Sequence, residues 1–198
     1  QVVNIPDAAF LNALIEYGVD VDADGSISYA EAESISYLKL DGNWRKKQPG
    51  EIKDMKGIEA FKNLDSLRCH YNKLSHLDLS GNPKLTFLRC SRNQLVSLNL
   101  SACKELKWLE CDKNLLISID ISACKALNRL ICDNNKLSGL SVSNNTSLAL
   151  LSCWENQLSS MDLSSCKELV RLDCDFNHIG SLDVSNHIML RNLNCRMN

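Results

Sequence analysis

Neither charge sign is in excess in this chain, and it has few aromatic side chains. Its 198 residues hold 22 Lys+Arg against 24 Asp+Glu, a formal net charge of -2, with 6% aromatics. A near-neutral chain lacks the broad positive field that draws nucleic acid or anionic membrane, so neither is expected as a partner. No apolar run approaches the ~20 residues that span a bilayer, so no membrane insertion is expected within this chain. No C-x-x-C pair occurs among its 10 cysteines, which removes the common spacing of zinc and dithiol sites. The 4 histidines, His70, His76, His178 and His187, fall at no ligand spacing and read as solvated surface. No basic stretch followed by an apolar one opens the chain, the pattern of an export signal.

What the chain does have is a period. Cys69, Cys90, Cys111, Cys132, Cys153, Cys174 and Cys195 are each 21 residues apart. An asparagine follows each by three positions, from Asn72 to Asn198, and leucines precede each by two and by five. A fixed period of this length means one structural unit stacked many times. Regular repeats run 64–84, 85–105, 106–126, 127–147, 148–168 and 169–189, with a truncated one at 190–198. The pattern is L-x-x-L-x-C-x-x-N-x-L-x-x-L-[DN]-L-S-x-[NC]-x-x, with other aliphatic residues at some leucines.

Leu67 and Cys69 alternate with polar residues, as do their equivalents, which is the period of a strand with one buried face. Stacked coils place these strands side by side and parallel, roughly 4.8 Å apart. The asparagine comes where the chain leaves the sheet, and its amide can satisfy backbone groups of its own and the neighbouring coil. Ser80 and its equivalents at 101, 122, 143, 164 and 185 are expected to form a second ladder. A return this short leaves room for turns, 3₁₀ pieces or short extended segments, not for a full helix.

Residues 1–34 form an entry of a different kind. Asp7 and the apolar positions Phe10, Leu11, Leu14 and Ile15 predict a helix ended by Gly18, and a second short helix is expected over 29–34. Residues 35–63 read as an irregular first coil, with Ile35, Leu38, Leu40 and Asn43 in the leucine, leucine, cysteine and asparagine slots. From Asn43 to Asn72 is 29 residues, an excess of 8 over the period. A loop with Arg45, Lys46, Lys47, Pro49 and Gly50 is expected to bulge there.

The motif L-x-x-L-x-C-x-x-N-x-L over 35–198 resembles the leucine-rich repeat family. Its 21-residue period with the L-D-L-S return is similar to bacterial cell-surface proteins of the internalin-like group. The resemblance implies an α/β fold: a right-handed solenoid with a parallel concave sheet and little helix on the convex side, closed by a small helical N-terminal cap. It further implies an extracellular or surface location with the export signal removed, and binding of a protein or glycan ligand rather than catalysis. A structural spacer of a surface protein, with no ligand of its own, is the alternative.

The segment 20–31 matches an EF-hand calcium loop. Asp20, Asp22 and Asp24 stand at positions 1, 3 and 5, and Gly25 stands at the sharp turn. Ser26 would offer its carbonyl, Ser28 a water-bridged contact and Glu31 a bidentate carboxylate. A structural Ca2+ that stiffens the cap is the expectation.

Ligand contact is expected on the outward columns of the sheet. One column reads Ser66, Phe87, Trp108, Arg129, Leu150, Arg171, Asn192, and the next reads Arg68, Arg89, Glu110, Ile131, Ser152, Asp173, Asn194. After the cysteines come His70, Ser91, Asp112, Asp133, Trp154, Asp175, Arg196, and then Tyr71, Arg92, Lys113, Asn134, Glu155, Phe176, Met197. Early coils read as basic and later ones as acidic. Arg68, Phe87, Arg89, Trp108, Glu110, Asp112, Asp133, Trp154, Asp173 and Phe176 are the expected contacts. The aromatics could also pack on cross-strand neighbours and only cover the sheet.

Asp112 and Asp133, on adjacent strands, have the spacing of a retaining glycosidase pair, but nothing in the sequence encloses them. Strand cysteines are expected to stay reduced, with Cys103 and Cys124 the only place for a bridge. The sheet edge at the end of the chain would be open to end-to-end contact with another copy.

Overall fold

The computed structural model describes residues 1–43, 48 and 50–198. The basic loop expected after Asn43, with Trp44, Arg45, Lys46, Lys47 and Pro49, lies outside the described residues.

Helix α1 (Ala8–Tyr17) starts at Asp7, whose carboxylate accepts the Phe10 N–H at 3.0 Å, and stops at Gly18, which is left-handed at φ 89. The second oxygen of Asp7 accepts the N–H groups of Lys53 and Asp54, both at 2.9 Å, so the cap of the helix also pins it to the first coil. Burial opposes charge on Asp7, but these hydrogen bonds hold its carboxyl below the usual range. Phe10 and Leu14 are fully buried against the stack. Helix α2 (Tyr29–Ser34) opens on a capping box in which Ser28 and Glu31 satisfy one another's amides.

The strands, in chain order, are β1 (Tyr37–Lys39), β2 (Ser66–Arg68), β3 (His76–Asp78), β4 (Phe87–Arg89), β5 (Ser97–Asn99), β6 (Trp108–Glu110), β7 (Arg129–Ile131), β8 (Leu150–Ser152), β9 (Arg171–Asp173) and β10 (Asn192–Asn194). Among the described residues they form one parallel sheet, in the order β1-β2-β4-β6-β7-β8-β9-β10, and a small β3-β5 pair on the return side. Each central leucine faces the next, Leu38 opposite Leu67 opposite Leu88 and so on to Leu193, as the period requires. Apart from β3 and β5, the return among the described residues is made of turns, with a 3₁₀ piece at Ile58–Ala60.

The asparagines form a continuous ladder. Asn93 donates through Nδ2 to the carbonyls of Cys69 and Cys90 and accepts the Leu74 N–H, so one amide closes its own turn and the previous one. The same set recurs at Asn114, Asn135, Asn156, Asn177 and Asn198. Removing one such amide would strand buried backbone groups, each costing about 1–3 kcal/mol. At the irregular coil Asn72 reaches Leu40 O and Ile52 N, so the chain rejoins the ladder beyond its insertion. Asn43 does not repeat the buried slot expected of it. It is exposed, and its backbone bridges to Gln48.

The second ladder is not the serine column. Each of Ser80, Ser101, Ser122, Ser164 and Ser185 turns its N–H to the Asp or Asn two residues earlier, a local turn within one coil. Two residues further on lies the slot that does connect coils. Asn82 donates to Ile58 O and Phe61 O, Asn145 donates to Ile121 O and Cys124 O, and His187 Nε2 lies 3.0 Å from Leu163 O. The thiols of Cys103 and Cys166 point to the corresponding carbonyls. All ten cysteines are free thiols, Cys103 and Cys124 included, and all except Cys195 are buried. Burial pushes the Cys103 thiol up to about 12 and that of Cys124 to about 11. Buried, protonated thiols in these slots act as small apolar fillers.

Candidate recognition face

The residue just before each ladder asparagine is left-handed. Tyr71, Arg92, Lys113, Asn134, Glu155, Phe176 and Met197 have φ between 53 and 58. This conformation costs an ordinary L-residue about 1–2 kcal/mol, and only Asn134 belongs to a type that adopts it readily. The backbone thus turns the edge of the sheet in the same way in every coil, and the outward columns are set side by side at fixed spacing.

Their side chains do not behave alike. In the early coils the charges find partners within the chain. Asp41, which follows Leu40 in the first coil, accepts the Arg68 guanidinium at 2.9 Å and lies against His70 Nδ1 at 2.5 Å. It also accepts the His70 N–H at 3.1 Å. Burial opposes the charge on Asp41, but the His70 contact and the Arg68 charge outweigh it and hold the carboxyl below its usual range. Arg89 pairs with Glu110 at 3.0 Å. Phe87 meets Trp108 edge-on, with ring centroids 5.2 Å apart, and the Arg129 guanidinium sits 3.9 Å from the Trp108 centroid. The face of Trp108 is therefore covered, as cross-strand packing would have it, and the basic patch expected around Arg68 and Arg89 is neutralised.

Two histidines expected on the solvated surface are buried. His70 lies under the Asp41 contact, and His187 fills a ladder slot; His76 and His178 are exposed.

In the later coils the columns stay open. Phe176 is 53% exposed, and Trp154 and Asp175 are half-buried. Here the sheet carries a cavity of about 260 Å³, walled by Arg129, Ile131, Leu150 and Arg171 with Asp133, Ser152 and Asp173. Asp133 is only 8% exposed. One of its oxygens accepts the Ser152 hydroxyl at 2.7 Å and the Trp154 N–H at 3.1 Å. Burial, helped by the charges of Asp112 and Asp173, overrides these hydrogen bonds and pushes its carboxyl up to about 7. Asp112 does not line this cavity, so the two carboxylates do not share the enclosed space that glycoside hydrolysis needs.

Of the expected contacts, Asp133 and Asp173 meet at the cavity and Trp154 and Phe176 flank it along the same coils. Arg68, Arg89, Glu110, Phe87 and Trp108 are taken up in internal pairs. Arg129, Ile131, Leu150, Ser152 and Arg171 stand in the outward columns but not among the expected contacts, and Asp41 stands in neither. The signal for Asp41 was its place beside His70 in the column after the cysteines, obscured by the insertion that follows it.

At the opposite end, the 20–31 loop folds around its own carboxylates. Oxygens of Asp20, Asp22 and Asp24 lie within 4.8 Å of one another. Asp20 accepts the N–H groups of Asp24 and Gly25, and Asp24 accepts the N–H and the hydroxyl of Ser26. Ser28, ahead of Val21, holds the Glu31 carboxyl down to about 2. Slight desolvation first, then the charges of Asp24 and Glu31, push Asp22 up. Val2 and Ser28 form an antiparallel bridge, with Val3 N–H on Ile27 O at 2.7 Å, so the first residues of the chain supply the strand partner that a lone loop lacks.

No protein-family model matches the chain, and no curated protein does. Its similarity is to solved leucine-rich-repeat structures. The functional domain of InlJ from Listeria monocytogenes, which includes a cysteine ladder, is 31% identical with a TM-score of 0.72, over 98% of this chain and 47% of that one. Internalin C2 from Listeria monocytogenes is 22% identical with a TM-score of 0.63, over 95% and 83%. The ectodomain of the plant receptor kinase GASSHO1/SCHENGEN3 from Arabidopsis thaliana, in complex with CASPARIAN STRIP INTEGRITY FACTOR 2, is 23% identical with a TM-score of 0.69, over 81% and 21%. The last two show the fold alone. The chain spans about half the length of the InlJ domain. The fold is a leucine-rich-repeat solenoid of the kind found in bacterial internalins. Among the described residues, no helix is long and apolar enough to cross a membrane.

Proposed function

We propose that this chain is a non-catalytic, extracellular recognition module that binds a protein through the later coils of its concave sheet. One observation carries the reading. From β7 onward, among the described residues, the outward charges form no ion pair with one another, and they wall a cavity on the coils that also carry the exposed Phe176 and the half-buried Trp154. Exposed aromatics beside unpaired charges are what binding hot spots are made of. The complex of the plant ectodomain with its factor is a precedent on the same fold. A glycan could stack on Trp154, but the charged cavity favours a protein.

An array of purified extracellular proteins and glycans, probed with the chain and with a Trp154→Ala/Phe176→Ala variant, tests this. A saturable protein contact weakened at least tenfold by the double substitution is expected. Contacts that all survive it would refute the face assigned here.

We also propose that the 20–31 loop is EF-hand-like and holds a structural Ca2+. The fit rests on the convergence of Asp20, Asp22 and Asp24 and on the left-handed backbone of Ala23 and Gly25. Calcium at a hundredfold excess over its Kd would stabilise the cap by about 2.7 kcal/mol. The melting temperature should rise with calcium relative to chelator and lose that response in Asp20→Ala. A melting temperature indifferent to calcium in the unsubstituted chain would remove the proposal.

A further inference from the structure

Building on the concave-face reading, we infer that the cavity around Asp133 seats one basic side chain, a lysine or arginine, presented by the protein partner. Its size, about 260 Å³, lies below the range of drug-sized pockets and suits a single long side chain. Its walls divide by chemistry. Leu150 and Ile131 line it, with Leu151 and Leu172 in the buried layer beneath. These aliphatic surfaces suit the methylene stem of a lysine or arginine, whose charged head then needs a polar end.

Asp133 supplies that end. Buried carboxylates are normally paired with a cation, yet among the described residues none forms an ion pair with Asp133. The charges that act on it most are those of Asp112, from the coil of β6, and Asp173, from β9, and both are negative. Its orientation is already set by Ser152 and the Trp154 N–H, which both bond Oδ1, while among the described residues none donates a hydrogen bond to Oδ2. An acceptor held in place, largely buried and facing like charges is what an arriving ammonium or guanidinium would satisfy without rearrangement.

Arg129 and Arg171 also line the cavity. Arg129 is drawn onto the Trp108 ring at 3.9 Å. Arg171 is exposed, and among the described residues it has no ion pair. An exposed guanidinium is solvated and demands no partner, whereas the buried carboxylate does, which is why the anchor is read as basic and not acidic. The two arginines would repel further positive charge beside the anchor, so an isolated basic residue is favoured over a basic run.

The test is an amide-resolved NMR titration with blocked single residues: the N-acetyl methylamides of lysine, arginine, norleucine and glutamate. Lysine and arginine should give saturable shifts at Ser152, Trp154 and Asp173, at least tenfold tighter than norleucine. Asp133→Asn keeps an oxygen for Ser152 and Trp154, and it should lose that tenfold. Moving from pH 8 to pH 5.5 should do the same, as Asp133 takes up a proton between Asp112 and Asp173, opposite Arg129 and Arg171. Equal or tighter binding of norleucine or glutamate, shifts centred elsewhere, or no saturable binding would overturn the inference. An array partner lost with Trp154→Ala/Phe176→Ala but untouched by Asp133→Asn would overturn it as well, while leaving the face itself in place.

Discussion

The two halves of the concave sheet share one backbone and differ in whether their side chains satisfy each other. From β1 to β6 Arg68, His70 and Arg89 find acidic partners within the chain: Asp41 on Arg68 and His70, Glu110 on Arg89. From β7 to β10 an equally well-placed carboxylate, Asp133, is buried without a cation. The early half gives its buried carboxylate two basic neighbours, and the later half gives its own none among the described residues. Both halves stand in the same register, so the difference lies in the choice of side chains alone. Perturbed carboxylates beside a cavity mark functional sites more often than chance, and the halves can be set against each other by experiment.

The sharpest contrast comes from making the same substitution in both. Asp41→Asn should destabilise the chain by about 3 kcal/mol, because it strands a buried His70 and a partly buried Arg68. The folded carboxyl of Asp41 lies below its unfolded value. Its contribution is therefore complete above an unfolded pKa of about 3.9 and is lost as pH falls through the lower folded value. Urea midpoints of the parent and variant should differ most above the unfolded carboxyl value of about 3.9 and draw together as pH falls below it. A neutral Asp41→Asn would mean that the early half is no more internally settled than the later one.

Asp133→Asn should act in the opposite direction. Here the folded carboxyl is raised to about 7. Protons are therefore bound preferentially in the folded state between the unfolded value and 7, and stability falls as pH rises through that window. Three pKa units correspond to roughly 4 kcal/mol, and residual water access brings the expected gain from the amide to about 2 kcal/mol at pH 7.5. The gain should vanish near pH 4. Stabilisation bought at the expense of binding a basic residue would mark Asp133 as kept for its ligand. A destabilised variant at pH 7.5 would show its carboxylate to be as well satisfied as that of Asp41.

The difference between the halves was not legible in the sequence, although the frame that carries it was. The spacing of Leu67, Cys69 and Asn72 set strand, buried slot and turn for every regular coil, because one residue of slip would expose the whole buried set. Partner state has no period. Arg89 meets Glu110 and Trp108 meets Arg129 because of which residues happen to be neighbours and which rotamers reach, and a column reading treats all of them as equally free. The serine column was misread for a related reason. Its Asp or Asn two residues earlier satisfies it locally, while the slot beyond, filled by Asn, Cys or His, varies too much in type to look like a ladder. His187 and His70 read as surface on the same ground, since histidine in a slot looks no different from histidine on a face. Asn43 fits the asparagine spacing but precedes the insertion and is exposed, and its coil meets the ladder at Asn72 through Leu40 and Ile52.

The smallest expected effect tests the premise that the backbone of the two halves is the same. Arg92, in the early half, and Phe176, in the later one, hold left-handed positions at φ 54 and 53. Asn134 occupies the same position at φ 53 in the coil of β7, so the slot accepts asparagine as it stands. Relieving an ordinary side chain of this conformation recovers part of its cost of about 1–2 kcal/mol. Arg92→Asn and Phe176→Asn should therefore each stabilise the chain by about 0.5–1 kcal/mol. The gains should agree, because the strain lies in the backbone, which the halves share. Binding should separate the two: Arg92→Asn leaves it within twofold, whereas Phe176→Asn weakens it along with the rest of the later face. Unequal gains in stability would place the difference between the halves in the chain itself. Equal gains with equal losses of binding would extend the recognition face into the half whose charges are already paired.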